Sequence, residues 1–434
     1  MNISSHQEGM SKLNIIILLF LSYIMSTYKY GEFVHYFVFI VMAALILRML
    51  TVGIKVSNEI SINKGILTFC VILLGLLLLK SIFNLNELKA FIKNYSVIYF
   101  VLIYGLLEYY KNGARYGEQV FIQLTKILNV LSVLNLIQVV LHRPLLSGFF
   151  TEQMDKYQYW AYGTGDFRPV SVFGHPIVSA LFFSILVICN LYILKGNLKY
   201  PLQIVALVNV YASQSRSAWI ALAIIVCLYF IKNYRIKKIK RNVRFTYSQL
   251  LKIYVSLVIV ICGFGLVALS SDSIISSIIE RFGDSLSGNS KDISNLQRTG
   301  TLSLINTYMF QQDMFRLLFG YGLGTVGDFM SVNTVVIRNF LTTDNMYLTF
   351  FFELGLLSLI SYGLFFIIGV IRFFLSKNYW LSELGALCFI FLSIIIFFFE
   401  GIGWGTVVTV WMFSLLTILM KFKNPNSLTK NKIK

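Results

Sequence analysis

Seven arginines at the edges of apolar segments are the residues of this chain whose chemistry is easiest to define. They are Arg143, Arg168, Arg216, Arg281, Arg298, Arg316 and Arg338. An arginine near a membrane core costs about 2.5–3.5 kcal/mol on insertion scales, so we expect several of them to have anionic partners. A guanidinium stays charged and presents a planar fork of donors that matches phosphate oxygens, so a diphosphate lipid headgroup is a natural ligand. Pairing with loop carboxylates or lipid phosphates is the alternative, and it is weakest for Arg216, which apolar sequence flanks.

The elements that carry these arginines are predicted to be membrane-spanning helices. The 434 residues are 57% hydrophobic and 13% charged, with a mean hydropathy of +0.74, whereas a soluble domain has about 25% charged residues. Apolar runs of about 20 residues, the length that crosses a hydrocarbon core, recur along the chain. We therefore predict an all-α polytopic membrane protein, one membrane domain over residues 1–434 with about twelve spans. The predicted spans are 13–28, 33–53, 65–83, 92–110, 120–141, 173–194, 198–214, 216–232, 250–270, 345–371, 380–399 and 404–420.

Lysines and arginines in the short loops predict the side of the membrane on which each loop lies. The positive-inside rule assigns the basic loop 233–249 and the basic tail 421–434 to the cytoplasm, and an even number of spans separates them. Both termini are then cytoplasmic. Loop 142–172 and the larger loop 271–343, between the ninth and tenth spans, are external. The orientation signal and anionic lipid account for the net charge of +18, so no nucleic-acid partner is expected.

The large external loop is long enough to contain structure of its own, and we predict short helices within it. One of these is an amphipathic helix over 295–315, followed by a glycine-rich turn at 320–324. Its predicted apolar face contains Leu296, Leu302, Ile305 and Met309.

The predicted spans 198–214 and 216–232, which follow each other directly, are short. Broken or partly re-entrant helices, which are tolerated where they line a cavity, are an equal alternative for these two segments.

Six short motifs follow one another between residues 165 and 375. They are RPVSVFGHP at 168–176, SQSRSA at 213–218, QR at 297–298, GYGLG at 320–324, DNMYL at 344–348 and ELG at 353–355. In order, spacing and membrane placement, these motifs resemble the bacterial O-antigen polymerase and ligase superfamily, which includes polymerases of capsule and exopolysaccharide. The N-terminal spans match that family only in being hydrophobic.

The resemblance implies glycosyl transfer on the outer leaflet between polyprenyl-diphosphate-linked sugars. We predict that Arg216 and Arg298 bind the diphosphate, with Arg168 as a third candidate, because arginines aimed at its developing charge stabilise its departure without a metal. Asp344 is the predicted general base, and an N-cap on the following span is the alternative role for it. The carboxylates next in order are Asp166 and Glu353. The other predicted substrate-binding residues are His175, Arg338, Asn345, Tyr347 and Glu353.

The predicted function is therefore that of a polymerase joining lipid-linked repeat units, an enzyme without cofactor or metal in the bacterial cytoplasmic (inner) membrane, with its active site on the outer face. Its expected partners are polyprenyl-diphosphate-linked oligosaccharide and membrane lipid, with a chain-length regulator and a flippase as candidate protein partners. A ligase is one alternative, although family ligases typically have His before the motif asparagine, where this chain has Asp344. A lipid-linked oligosaccharide flippase is another, although no duplication of halves is visible.

Overall fold

Helices form most of the regular structure in the computed structural model, which describes residues 14–24, 33–51, 60–62, 75, 85–145, 167–240, 293–338, 340–376 and 379–422. The first eight helices are α1 (Asn14–Ile24), α2 (Phe33–Thr51), α3 (Asn86–Asn112), α4 (Ala114–Leu141), α5 (Pro176–Ile193), α6 (Lys199–Ala212), α7 (Arg216–Lys240) and α8 (Ile293–Phe310). The remaining six are α9 (Met314–Phe319), α10 (Thr325–Val332), α11 (Met346–Leu354), α12 (Leu356–Leu375), α13 (Trp380–Ile395) and α14 (Gly405–Leu419). Two short strands, β1 (Ile60–Ile62) and β2 (Met420–Phe422), pair antiparallel with Ser61 opposite Lys421.

The described helices confirm a multi-pass membrane protein. Six of them are long and apolar enough to cross a bilayer, and these are α2, α3, α4, α5, α12 and the Arg216–Asn233 part of α7. Helices α1, α13 and α14 are apolar but shorter. The predicted spans 65–83 and 250–270 lie essentially outside the described residues, so the count of twelve and the sidedness of the loops stay predictions.

The most deeply buried helices are α5, α13 and α14, which are apolar on every side. Helix α5 packs against α4, α6 and α13, and α14 packs against α3 and α13. Gly385 of α13 lies against the side chain of Thr417 in α14. A small residue at such a contact lets two backbones approach closely, which is how helices without a hydrophobic driving force associate in lipid.

Two features of the predicted elements are corrected by the structure. The span predicted over 345–371 is two helices, α11 and α12, because the chain turns at Gly355 with φ 75° and a Cβ atom there would collide with the carbonyl of Leu318. The predicted apolar face of α8 is wrong in part, since Ile305 and Met309 are buried whereas Leu296 and Leu302 are exposed. At 100° per residue, Leu296 lies on the opposite side of the helix from Ile305.

A buried ion pair links three of the helices, and its removal is expected to be costly. The Lys232 ammonium in α7 lies 2.9 Å from a carboxylate oxygen of Glu383 in α13 and donates hydrogen bonds to Ser376 and the carbonyl of Phe373 at the end of α12. Removing one partner of such a pair costs about 3–5 kcal/mol because the other charge stays buried and unpaired. We expect Lys232→Met to lower the midpoint of thermal unfolding in detergent. A double variant that also carries Glu383→Gln should recover part of the loss, and an unchanged midpoint in the single variant would contradict this.

Candidate active site

Loops at one end of the helices meet around the motif residues. His175 precedes α5, and its ring lies 5.5 Å from that of Phe399 and 5.9 Å from that of Trp404, both between α13 and α14. The backbone N–H of Met346, where α11 starts, donates to the carbonyl of Ile396 after α13. The N-termini of α5, α11 and α14 therefore lie close together. Helix N-termini carry partial positive charge and favour anions.

Three loops of this end contain a non-glycine residue in the left-handed region of backbone space. They are Ser171, Gln214 and Asp344, each with φ 53°. A residue held in this region costs on the order of 1–3 kcal/mol, and such residues concentrate at functional sites. Each of the three falls within one of the sequence motifs, so the motifs mark backbone conformations as well as side chains.

Arg298 and Asp344 form the central charged pair of the site. The Nε atom of Arg298 lies 3.7 Å from Oδ2 of Asp344, and each side chain is 28% exposed. That separation is too long for a hydrogen bond, and Arg298 Nε is a buried donor without a hydrogen-bond partner in the described part of the chain. Buried donors are normally paired. The Nε–H of Arg298 therefore has unused hydrogen-bonding capacity, and it lies next to the partly exposed carboxylate of Asp344.

Gln297 positions this arginine by tying α8 to the loop that follows α10. Its side-chain oxygen accepts hydrogen bonds from the backbone N–H groups of Val336 and Ile337, both at 3.0 Å. Gln297 lies on the buried stripe of α8 at four-residue intervals with Thr301, Ile305 and Met309. Its neighbour Arg298 is at the edge of that stripe, so the helix is oriented with the guanidinium toward Asp344.

The turn before α11 separates two roles that the sequence left open for Asp344. Asn345 is the N-cap of α11, since its side-chain oxygen accepts from the backbone N–H groups of Tyr347 and Leu348. Asp344 therefore does not cap the helix and directs its carboxylate to Arg298. Burial raises the pKa of Asp344, and the positive charge of Arg298 opposes this rise. An elevated pKa makes the ionised carboxylate a stronger base.

His175 is a neutral hydrogen-bonding group in this cluster. Its Nδ1 accepts a hydrogen bond of 3.2 Å from the backbone N–H of Ile177, which caps α5. Burial first, and then the charges of Arg168 and Arg298, lower the pKa of His175 to about 3. The imidazole is therefore uncharged near neutral pH, and the hydrogen bond at Nδ1 assigns its proton to Nε2. His175 therefore contributes no positive charge to the cluster.

Arg168 joins the first motif to the second. Its Nε donates a 3.1 Å hydrogen bond to the carbonyl of Ser213, at the break between α6 and α7. Helix α6 ends at Ala212 and α7 begins at Arg216, close to the bounds of the two predicted spans, and the Arg216–Asn233 part of α7 is long and apolar enough to cross a bilayer. Arg168 and Arg216 are both partly exposed. The cluster around His175 thus combines Arg168, from the loop before α5, with Arg298 from α8, whereas Arg216 begins α7 next to the Ser213 carbonyl that Arg168 binds.

The structure gives the remaining predicted residues other surroundings. Glu353 is buried and accepts hydrogen bonds from the Tyr95 hydroxyl and the backbone N–H of Val326. The hydroxyl of Tyr347 donates to the carbonyl of Ser393. Arg338 is exposed in the loop that Gln297 holds. Asp166 lies outside the described residues. The hydrogen bonds of Glu353 and Tyr347 thus stabilise the scaffold around the Arg298–Asp344 pair.

Glu400 belongs to the cluster and was not among the predicted residues. It lies in the loop between α13 and α14, is partly exposed, and its carboxylate accepts a 3.0 Å hydrogen bond from the backbone N–H of Thr343, next to Asp344. Burial of its carboxyl group raises the pKa of Glu400 to about 8, and the nearby carboxylates of Glu353 and Asp344 act in the same direction. The sequence signal that could have identified Glu400 is its position, since it is an acidic residue at the edge of a predicted span, beside Gly401.

A family model described as O-antigen ligase matches residues 202–363. The superfamily resemblance is confirmed. The match supports a function of the O-antigen polymerase or ligase type in general, and members of the family are glycosyltransferase-like membrane enzymes. No curated protein and no solved structure matches the chain.

The matched segment begins in α6 and ends in α12, so it contains Arg216, Arg298 and Asp344. Arg168, His175 and Glu400 lie outside it. The structure brings residues from both sides of the matched segment to the Arg298–Asp344 pair. The candidate site is thus larger than the segment that the family model covers.

Glu400 is expected to position Asp344 through the backbone of Thr343. Leaving a buried donor without its acceptor costs about 1–3 kcal/mol, so Glu400→Ala should lower the turnover rate about tenfold by loosening the turn. Glu400→Gln keeps an acceptor oxygen and should retain most of that rate. We would measure kcat and KM for chain lengthening in both variants. Equal losses in both variants would contradict a role that depends on the hydrogen bond to Thr343.

Proposed function

We propose that this protein is a polymerase that joins polyprenyl-diphosphate-linked oligosaccharide repeat units into a surface polysaccharide at the outer leaflet. The observation that carries the proposal is the Arg298–Asp344 pair, 3.7 Å apart and partly exposed, in a cluster with Arg168 and His175. A cation for a diphosphate and a carboxylate for a hydroxyl are the two groups that this transfer needs. The family match supports the reaction class.

The proposed reaction displaces a diphosphate from a sugar. The acceptor hydroxyl oxygen attacks the anomeric carbon of the donor chain, and the bond from that carbon to the diphosphate breaks with its electron pair going to the diphosphate. Asp344 takes the hydroxyl proton, an effect worth about 10²- to 10⁴-fold. Arg298, with Arg168 and Arg216, stabilises the developing negative charge. The Nε2–H of His175 donates to an oxygen of the diphosphate or of the first sugar.

Helix N-termini at this end of the molecule add to the positive charge of the arginines, and both favour an anionic ligand. The cluster lies where α5, α7, α11 and α14 begin, and each N-terminus contributes partial positive charge. A lipid diphosphate fits this field because its charged group sits at the membrane surface while its polyprenyl chain stays in the bilayer. We place the cluster on the outer side, following the prediction that loop 271–343 is external.

Purified protein in liposomes, supplied with diphosphate-lipid-linked oligosaccharide, tests the proposal. A polymerase should convert the substrate into a ladder of longer lipid-linked chains and release polyprenyl diphosphate. Transfer of the chain to a lipid A core acceptor, without lengthening, would assign the protein to the ligases. Movement between leaflets with neither product would favour the flippase. External labelling of a single cysteine at Ser331 in intact cells would check the side on which α10 and the site lie.

A further inference from the structure

Four apolar side chains are exposed together at the end of α8 and along α9. We call them the α9 patch, and their exposed fractions are 66% for Phe310, 69% for Met314, 69% for Phe315 and 39% for Phe319. The rings of Phe315 and Phe319 lie 4.9 Å apart. A contiguous exposed apolar surface marks a protein or membrane contact. This surface belongs to loop 271–343, which the sequence predicts to lie outside the spans.

Helix α9 lies against the start of a membrane-spanning helix. It packs against α11 and α12, and the carbonyl of Leu318 lies so close to Gly355, directly before α12, that a Cβ atom at Gly355 would collide with it. Helix α12 exposes one apolar stripe along its whole length, and the stripe begins in its first turn. Its members are Leu357, Ile360, Leu364, Ile367 and Ile371. Since that stripe is the lipid-facing side of a span, α9 lies at the level where the hydrocarbon begins.

Polar residues on α9 complete the pattern of an interfacial helix. Asp313 caps α9 by accepting from the backbone N–H of Arg316, and the two side chains approach to 3.7 Å in an exposed position. The Arg316 guanidinium lies 5.2 Å from the ring centre of Tyr321. An apolar face with aromatic rings, combined with a charged edge, is the arrangement that lies at the boundary between headgroups and acyl chains.

We propose that the α9 patch is inserted among the acyl chains of the leaflet beside α12, so that α9 anchors the loop carrying Arg298 at the membrane surface. The occupant of the patch is membrane lipid. The packing of α9 against α12, at the end where the lipid-facing stripe of α12 begins, carries this assignment. The proposal concerns a contact with the bilayer and stands whether the protein polymerises, ligates or translocates its substrate.

Spin labels on the full chain in phosphatidylcholine and phosphatidylglycerol nanodiscs test the insertion. Single cysteines replace Phe315 or Met314 in a variant whose five native cysteines are changed to alanine. Ser331→Cys, at an exposed polar position on α10, is the control. We would compare collisions of each label with oxygen, which concentrates in lipid, and with a water-soluble nickel chelate. Gel filtration confirms that each variant is folded, and using both patch positions guards against a local effect of one label.

The expected result is several-fold more collision with oxygen than with the nickel chelate at positions 314 and 315, with the opposite order at position 331. Two results overturn the proposal. Preferential collision with nickel at 314 and 315 would show that the patch is in water. Low collision with both reagents, together with dipolar coupling between labels on two chains, would show that a second copy covers it.

Discussion

Arg298→Ala should abolish visible polymer in the liposome assay while the protein remains folded. Arg298 is the arginine paired with Asp344, and its Nε is a buried donor with no hydrogen-bond partner in the described residues. Removing one donor that stabilises charge in a transition state lowers kcat about 10²- to 10³-fold. The side chain is partly exposed, so its loss leaves no large cavity. The measurement is the initial rate of chain lengthening at saturating substrate.

Two further variants separate charge, geometry and general effects of arginine removal. Arg298→Lys keeps the positive charge but loses the planar fork of donors, so we expect an intermediate rate. Arg143→Ala removes an exposed arginine at the end of α4 and should leave the rate unchanged. If Arg298→Ala lengthened chains at the wild-type rate, the guanidinium would have no part in departure of the diphosphate.

Apolar helices in the described part of the chain and the family motifs could be predicted from the sequence because each depends on local pattern. Helix α5 is an uninterrupted apolar run, and the motif at 297–298 lies on a helix as predicted. The break at Gly355 could not be predicted in the same way. It depends on the close approach of the Leu318 carbonyl, a contact between segments far apart in the sequence. Hydropathy continues unchanged across that position.

The site itself could be predicted only in part, because its residues come from five separate segments. Arg168, His175, Arg298 and Asp344 were predicted and lie in one electrostatic cluster. Glu400 could not be predicted in this way, because it belongs to none of the motifs and only its hydrogen bond to Thr343 places it beside Asp344. The capping role that was the alternative for Asp344 belongs to its neighbour Asn345: Asp and Asn are both good N-caps, and only the hydrogen bonds of Asn345 distinguish them.

Asp344, Glu400 and His175 have different surroundings, and these suit each group to a different role. Burial raises the pKa of Asp344, and the Arg298 guanidinium beside it opposes part of that rise. Glu400, whose pKa is raised to about 8, is largely protonated at neutral pH and holds the backbone of Thr343. His175 stays neutral. Pairs of groups whose surroundings drive their pKa values apart commonly reveal which of them acts as the base. The proposed mechanism gives the role of base to Asp344, because its carboxylate is the one that lies beside the Arg298 guanidinium.

Asp344→Asn is therefore expected to lower the rate about 10²- to 10⁴-fold, the usual contribution of a general base. The substitution is unusually well matched. Asp344 has φ 53°, and asparagine adopts the left-handed region more readily than other non-glycine residues. Asn345 remains as the cap of α11. Helix and turn should thus be intact, and the thermal midpoint close to that of the wild type.

The pH profile distinguishes loss of a base from loss of the Arg298 partner. A base acts in its ionised form, so wild-type kcat should rise as pH increases through the pKa of Asp344, which lies above the ordinary range for aspartate. In Asp344→Asn this rise should disappear, leaving a low rate that does not follow that ionisation. Asp344→Ala should show the same flat profile with an additional loss of stability, because alanine tolerates a positive φ poorly. A wild-type profile retained in Asp344→Asn would transfer the role of base to another carboxylate, and Glu400 would be the first to replace.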